Sequence, residues 1–350
     1  MKVAIVTQSG EADAVRGIGV YTSELTKELK NIRTGKLEIE IVQKKEIGLK
    51  KYDIFHYPDF RMYFSFPKIS ENNKTIVTIH DVIPLIYPKA YPPGLKGNFK
   101  LLLQKMLLKK IDAVITVSET SKKDIVRFLG IPQEIIKVIY EAPRSIFSRI
   151  SKVEKLKAVR NKYNLPEKFV LYVGDVNYNK NILGLVEACK NAQISLVMVG
   201  KQATQEKFDR RHPENKAWAK IFDKYGKDKD VIRLGYVTDD DLVCLYKLAT
   251  LYCQSSFYEG FGLPVLEAFA SGCPVVAAKT QALVEIGESA CLFADPKNSK
   301  DISKKITQVV NNDQIRNKLI KKGNLRVKDF SWEKTAKETF EVYQKVLRRQ

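Results

Sequence analysis

Tyr258-Glu259-Gly260-Phe261-Gly262-Leu263-Pro264-Val265-Leu266-Glu267-Ala268-Phe269-Ala270-Ser271-Gly272-Cys273-Pro274-Val275-Val276 packs a loop, a helix and the start of a strand into one short stretch. A preceding strand ends near Ser255, the glycines open a loop, a helix starts near Pro264, and a new strand begins after Gly272-Cys273-Pro274. Proline in the first helical turn and glycine beyond the last are the expected punctuation. The helix N-terminus offers backbone N–H groups and a positive dipole end behind a loop that allows close approach. That is an anion site suited to a pyrophosphate.

The same strand-then-helix rhythm runs in both directions from this stretch. In the first half, Val3–Thr7, Ile39–Val42, Ile54–Tyr57, Thr75–Ile79, Ala113–Val117 and Ile136–Tyr140 are short runs rich in Val and Ile. A second series holds Phe169–Val173, Leu196–Val199, Val231–Leu234, Leu251–Cys253, Pro274–Ala277 and Cys291–Phe293, with helical stretches such as Ile182–Lys190, Asp239–Ala249 and Leu263–Ser271 between them. Continuous apolar character suits strands buried on both faces of a parallel sheet. Two such series predict two doubly wound α/β domains in tandem, 1–150 and 151–330. Pro143, a charge-rich helix (Lys152–Tyr163) and Pro166 mark the seam. After it all, Ser331 can cap a terminal helix, 331–350, whose Trp332, Ala336, Phe340 and Tyr343 recur at helical spacing. No strand follows, so this helix is expected to pack back on the first domain.

At 350 residues the chain is long enough for two such cores. No apolar run reaches the ~20 residues that span a bilayer, and the apolar start Val3–Val6 is too short for a secretory signal, so a cytoplasmic location is expected. The five cysteines show no metal-ligand spacing and read as small reduced hydrophobes. A net charge of +20 raises the question of nucleic acid. The excess is spread over both halves and supplied largely by lysine, and no nucleic-acid motif accompanies it. Solvated lysine faces are the simpler reading, and attraction to an anionic surface the second.

Glu259 and Glu267 frame the opening stretch. An isolated pair of glutamates reads more simply as a turn cap and a surface residue; the surrounding sequence favours ligand binding. This stretch resembles the E-x7-E region of retaining family-4 glycosyltransferases, which have the GT-B architecture of two Rossmann-like domains facing a central cleft. The resemblance extends over nearly the whole chain. It implies that Glu259 binds the donor sugar, Glu267 the ribose, and the backbone around Phe261, Gly262 and Leu263 the sugar and diphosphate. The second domain would then hold the nucleotide-sugar donor and the first the acceptor.

Tyr172-Val173-Gly174-Asp175-Val176-Asn177-Tyr178-Asn179-Lys180-Asn181 is a second match. A strand ends at Gly174, and Lys180 near the next helix can neutralise a phosphate as a point charge. By resemblance this loop supplies an arginine and a lysine to the diphosphate; Lys180 matches the lysine, whereas Asp175 stands where many members have arginine. Lys201 is the candidate substitute. Thr75-Ile76-Val77-Thr78-Ile79-His80-Asp81 puts His80 beyond the end of a buried strand, the edge where open α/β sheets hold ligands. A histidine capping the next turn is the plainer alternative. The run His80, Asp81, Pro84 is similar to the loop of family-4 mannosyltransferases in which a histidine lies near the anomeric carbon. That gives His80 a positional or electrostatic role. Arg16-Gly17-Ile18-Gly19 follows the first strand after the polar stretch Gln8–Val15 and resembles the family's first glycine loop, which approaches donor phosphate and acceptor. Gly200, Lys201, Val237 and Leu242 are weaker candidates for the base pocket.

The resemblance implies transfer of a hexose from a nucleotide diphosphate sugar, GDP-mannose first, to a hydroxyl of a glycan or lipid-linked acceptor with retention. His80, Glu259 and Lys180 would carry it. No carboxylate nucleophile is evident, and the resemblance implies same-face attack, in which the departing phosphate oxygen takes the acceptor proton. No cofactor or metal is expected; Asp239-Asp240-Asp241 looks like a helix start. A nicotinamide-dependent dehydrogenase is disfavoured because GxGxxG is absent after the first strand. A non-catalytic sugar-nucleotide binder or partner subunit stays open through Asp175. Finally, Leu95–Lys110 carries Lys96, Lys100, Lys105, Lys109 and Lys110 among leucines with no acid. It reads equally as a core helix with a basic face or as a helix lying peripherally on the inner face of a membrane.

Overall fold

The computed structural model describes residues 1–7, 17–32, 37–43, 46–47, 51–64 and 73–348. They form two compact units. One contains the described residues up to Pro88, Pro92–Ala142 and the chain from Phe330 onward; the other contains Lys89–Tyr91 and Pro143–Asp329.

In chain order the first unit has β1 (Lys2–Thr7), α1 (Ile18–Asn31), β2 (Glu38–Gln43), β3 (Ile54–Tyr57), β4 (Lys74–Thr78), α2 (Ile83–Ile86), α3 (Gly94–Leu108), β5 (Ala113–Thr116), α4 (Glu119–Leu129) and β6 (Ile136–Val138). The second has α5 (Val153–Lys162), β7 (Phe169–Val173), α6 (Ile182–Asn191), β8 (Ser195–Val199), α7 (Lys216–Tyr225), β9 (Val231–Gly235), α8 (Asp239–Leu248), β10 (Leu251–Gln254), α9 (Leu263–Ala270), β11 (Val275–Ala278), α10 (Gln281–Gly287), β12 (Cys291–Ala294), α11 (Ser299–Val310) and α12 (Asp313–Arg326). A last helix, α13 (Trp332–Arg348), returns to the first unit.

Among the described residues both sheets are six-stranded and parallel in every pairing. The first runs β2-β1-β3-β4-β5-β6 and the second β12-β11-β10-β7-β8-β9. Strands β3, β5, β7, β10 and β11 are buried along their whole length, which is why they read as largely apolar runs, with His56, Thr116 and Gln254 as buried polar exceptions. In the second unit the strand order reverses between β7 and β10, paired Leu251 to Val170 and Tyr252 to Leu171. Open sheets hold their ligands outside the carboxyl ends of the strands at such a point. The loops leaving β7 and β10 therefore meet there.

α13 belongs to the first unit through its apolar face. Ser331 Oγ accepts from Lys334 N at 3.1 Å and caps it; Trp332, Ala336, Val342, Tyr343 and Val346 are buried. Thr335 Oγ1 donates to the Tyr140 carbonyl at 2.7 Å, and Tyr343 OH lies 2.7 Å from His56 Nδ1. The Asp239–Asp241 run opens α8 behind a Thr238 cap, and its carboxylates pair with Arg144, Lys155 and Lys162 in turn. All five cysteines are free and buried. Among the described residues no helix is long and apolar enough to cross a membrane.

Candidate active site

Side-chain amides stitch the loops leaving β7 and β10 together. Asn179 Nδ2 donates to the Tyr258 carbonyl (3.0 Å), and Phe257 N donates back to the Asn179 carbonyl (2.7 Å). Asn181 holds a left-handed backbone, φ 53°, and its Nδ2 reaches the carbonyls of Ser255 (3.0 Å) and Pro296 (2.7 Å). Ser255 Oγ donates to the carbonyls of Lys180 and Asn181. Asparagine suits that position because its short polar side chain tolerates a positive φ.

These bonds bring Lys180 against Glu259. The ammonium lies 2.9 and 2.8 Å from the two carboxylate oxygens. Glu259 Oε1 also accepts from Gln254 Nε2 (2.7 Å) and Ser256 Oγ (2.5 Å). Both charges are largely shielded, the lysine side chain 23% and the glutamate 8% exposed. A carboxylate has about four acceptor positions. Oε1 is saturated, whereas among the described residues Oε2 takes Lys180 alone and keeps capacity for another donor.

The rest of the loop turns toward α9. Gly262 adopts φ 113°, and a Cβ there would lie 2.7 Å from Leu283 Cδ2, so only glycine fits. Leu263 and Pro264 then start α9 with no side chain capping it among the described residues; Phe261 beside them is buried. Glu267, within α9, accepts from Tyr246 OH at 3.0 Å. Burial first, and the Glu267 charge second, hold that phenol well above its ordinary pKa.

A row of glycines edges the neighbouring strand ends. Gly174 N donates to the Val199 carbonyl and Gly200 N to the Gly235 carbonyl, both at 2.9 Å. Tyr172 OH, donating to the Asp175 carbonyl (2.6 Å), lies 2.9 Å from where a Gly174 Cβ would stand. A Cβ on Gly200 would collide with the Gly174 carbonyl oxygen. Lys201 follows, exposed, at the head of a 3-10 turn; Val237 and Leu242 are buried. In this unit, then, Lys180 and Glu259 touch each other, while Glu267 is engaged separately with Tyr246.

In the first unit Gly17 precedes α1 at φ 57° and Gly19 lies in its first turn; Arg16 and the stretch Gln8–Val15 lie outside the described residues. His80, just beyond β4, sits between two acceptors. Nδ1 is 2.9 Å from Glu141 Oε1 and Nε2 is 3.0 Å from the Pro58 carbonyl. A neutral imidazole has one N–H, so satisfying both partners requires the imidazolium. Burial opposes that charge, but hydrogen bonding and charge from Glu141, helped by the Pro58 carbonyl and Asp59, outweigh it and raise the pKa. Ser121 Oγ fixes the His80 carbonyl at 2.8 Å, and the Tyr21 ring meets the imidazole edge-on at 4.8 Å.

Sequence reasoning passed over Glu141, Gln254, Ser256, Asn179 and Asn181. Glu141 had one available signal: it follows β6 and so shares the carboxyl edge of the sheet with His80. It also passed over His56. That imidazole is fully buried between Tyr343 OH and Thr78 Oγ1 (2.8 Å), and Thr78 Oγ1 is in turn 3.0 Å from Tyr21 OH. Burial, then the nearby His80 charge, lower its pKa to about 3.

Residues 154–326 match the glycosyl transferases group 1 family, and residues 40–142 match glycosyltransferase family 4. The O-antigen chain mannosyltransferase B of Escherichia coli is 30% identical over 300 residues, 83% of this chain and 74% of that protein. The serotype-specific mannosyltransferase WbdA of the same species is 27% identical over 280 residues, 78% of this chain but 34% of that longer protein. The chain thus spans about a third of WbdA's length. Among solved structures, Anabaena HepE in complex with UDP and glucose superposes with a TM-score of 0.74 at 17% identity, covering 99% of this chain and 100% of that one. At that identity the likeness speaks to the fold.

Proposed function

The chain belongs to the family-4 glycosyltransferases of the GT-B fold, and on that premise we propose that it transfers mannose from GDP-mannose to a hydroxyl of a glycan or lipid-linked acceptor, with retention. The observation that carries this reading is the Lys180–Glu259 pair at the switch point of the second sheet, in the loop that leads to the start of α9, which no described side chain caps. An ammonium and a helix N-terminus side by side suit a diphosphate. The remaining acceptor capacity of Glu259 Oε2 suits a sugar hydroxyl next to it. Mannose is favoured because two of the relatives above are named mannosyltransferases.

In this reading Lys180 is shared between Glu259 and the departing diphosphate, balancing the charge that develops as the glycosidic bond breaks. Glu267 takes the ribose, and the glycines at Gly174 and Gly200 let phosphate or base approach the backbone. The departing phosphate oxygen takes the acceptor proton, so no protein nucleophile is required. His80 is then a fixed positive charge held by Glu141, contributing alignment and electrostatic stabilisation.

A donor-hydrolysis screen over GDP-mannose, UDP-glucose, UDP-N-acetylglucosamine and UDP-galactose tests the proposal, with Glu259→Ala and Lys180→Ala as controls. Turnover of GDP-mannose alone, lost in both variants, is the expected result. Turnover of a UDP-sugar would replace mannose. Binding without turnover would favour a non-catalytic sugar-nucleotide binder, the reading that Asp175 in place of an arginine supports.

A further inference from the structure

α3 carries its apolar stripe on the side away from the core. Its inward residues are Gly97, Gln104 and Leu108. Gln104 Nε2 donates to the Arg61 carbonyl (2.8 Å) and to that of Phe64, tying the helix to the turn before it. Leu95, Phe99, Leu102 and Met106 point the other way, 91, 62, 59 and 59% exposed, with Leu103 beside them. At about 100° per residue, these five fall within an arc of about 100°. Lys96 and Lys100 flank one side of that arc and Lys105 and Lys109 the other, and no acid occurs between Gly94 and Lys110. Phe64, on the turn that Gln104 holds, is also exposed.

Single exposed hydrophobes need no explanation, but a contiguous stripe of large ones marks an interaction surface. An apolar stripe between two rows of lysine is the pattern of a helix lying in a membrane interface. We infer that α3, with Phe64, docks on an anionic lipid surface: the stripe enters the headgroup–acyl boundary and the lysines meet lipid phosphates. Charge argues against a second copy as the occupant, because a symmetric contact between two α3 helices would set lysine rows against each other. The net charge of +20 favours the same surface at longer range.

The test uses the full chain and sedimentation with vesicles of phosphatidylcholine, alone or mixed with phosphatidylglycerol, at low and high salt. Wild type should bind the mixed vesicles and lose them in high salt. Lys96→Gln/Lys100→Gln should weaken the partition coefficient about 25-fold, at about fivefold per lysine. Phe99→Ser/Leu102→Ser should weaken it at least as much. All four side chains lie outside the core, and urea midpoints equal to wild type verify that the variants fold. Equal binding to neutral vesicles, wild-type binding by both variants, or no binding by wild type would overturn the inference. So would a dimer in sedimentation velocity that Phe99→Ser dissociates, which would give the stripe to a second copy.

Discussion

The Lys180–Glu259 pair makes a quantitative prediction, because its surroundings determine what each half costs to remove. Glu259→Gln keeps one acceptor oxygen but takes the carboxylate charge away from the Lys180 ammonium and turns an amide toward donors. Breaking a buried pair in this way costs about 3–5 kcal/mol; with Lys180 23% exposed the lower end applies, about 3 kcal/mol. Lys180→Met leaves a carboxylate still served by Gln254 and Ser256, so the loss is that of hydrogen bonds to a charged group, about 1.5–3 kcal/mol. The double variant removes both charges and should cost about 2 kcal/mol less than the sum. The assay is built into the chain. Its two tryptophans, both buried, divide between the units, Trp218 in the second and Trp332 in the first. In a Trp332→Phe background, Trp218 fluorescence during urea unfolding reports the second unit alone. Single-variant losses that add to within about 0.5 kcal/mol would refute the coupling. Donor hydrolysis in the same variants tests the proposed function separately, with Lys180→Met expected to lower it at least tenfold.

Three further expectations rest on the same geometry. His80 needs its proton to serve both acceptors, and its pKa is raised. Activity that depends on the imidazolium is present below that pKa and lost as pH rises through it; Glu141→Gln should move the alkaline limb of the pH–rate profile to lower pH, and an unmoved limb would count against the charge having a role. His56 titrates the other way: with a folded pKa of about 3 against 6.5, it favours folding above pH 6.5, and that contribution fades as pH falls. The loss is about 1.4 kcal/mol per pH unit, so wild type should lose about 2 kcal/mol more between pH 7.5 and 5.0 than His56→Gln, read from Trp332. Gly200→Ala should destabilise the second unit by about 3 kcal/mol and weaken donor binding, because its Cβ would push on the Gly174 backbone and not on a side chain that can swing away.

Much of this was legible in the chain because buried parallel strands have a plain signature. Runs such as Phe169–Val173 and Leu251–Cys253 are apolar at every position because helices cover both faces. Glycine and proline then mark the loops between them. Lys180 and Glu259 could each be singled out from their own loop. Their contact could not, because β7 and β10 become neighbours only through the crossover that reverses the strand order. The same holds for His80 and Glu141, which share a sheet edge although β5 lies between their strands. His56 was invisible for a different reason: its partner Tyr343 arrives on a helix that no local pattern assigns to β3. For Leu95–Lys110, periodicity yields a helix but cannot say which way its leucines face. Only the packing of Gly97 and Gln104 against the Arg61–Phe64 turn decides that.

The place of α13 has a consequence in time. A ribosome delivers the second unit complete once Asp329 has emerged, with all six strands available to pair. The first unit's strands appear earlier, yet its interior stays unfinished until Trp332 and Tyr343 follow. Until then the His56 ring lacks its Tyr343 hydroxyl partner, and the face of the unit that α13 covers stands open. The domain whose synthesis begins first is therefore the one that closes last, and nascent chains arrested before Trp332 should hold a folded second unit and an unfinished first.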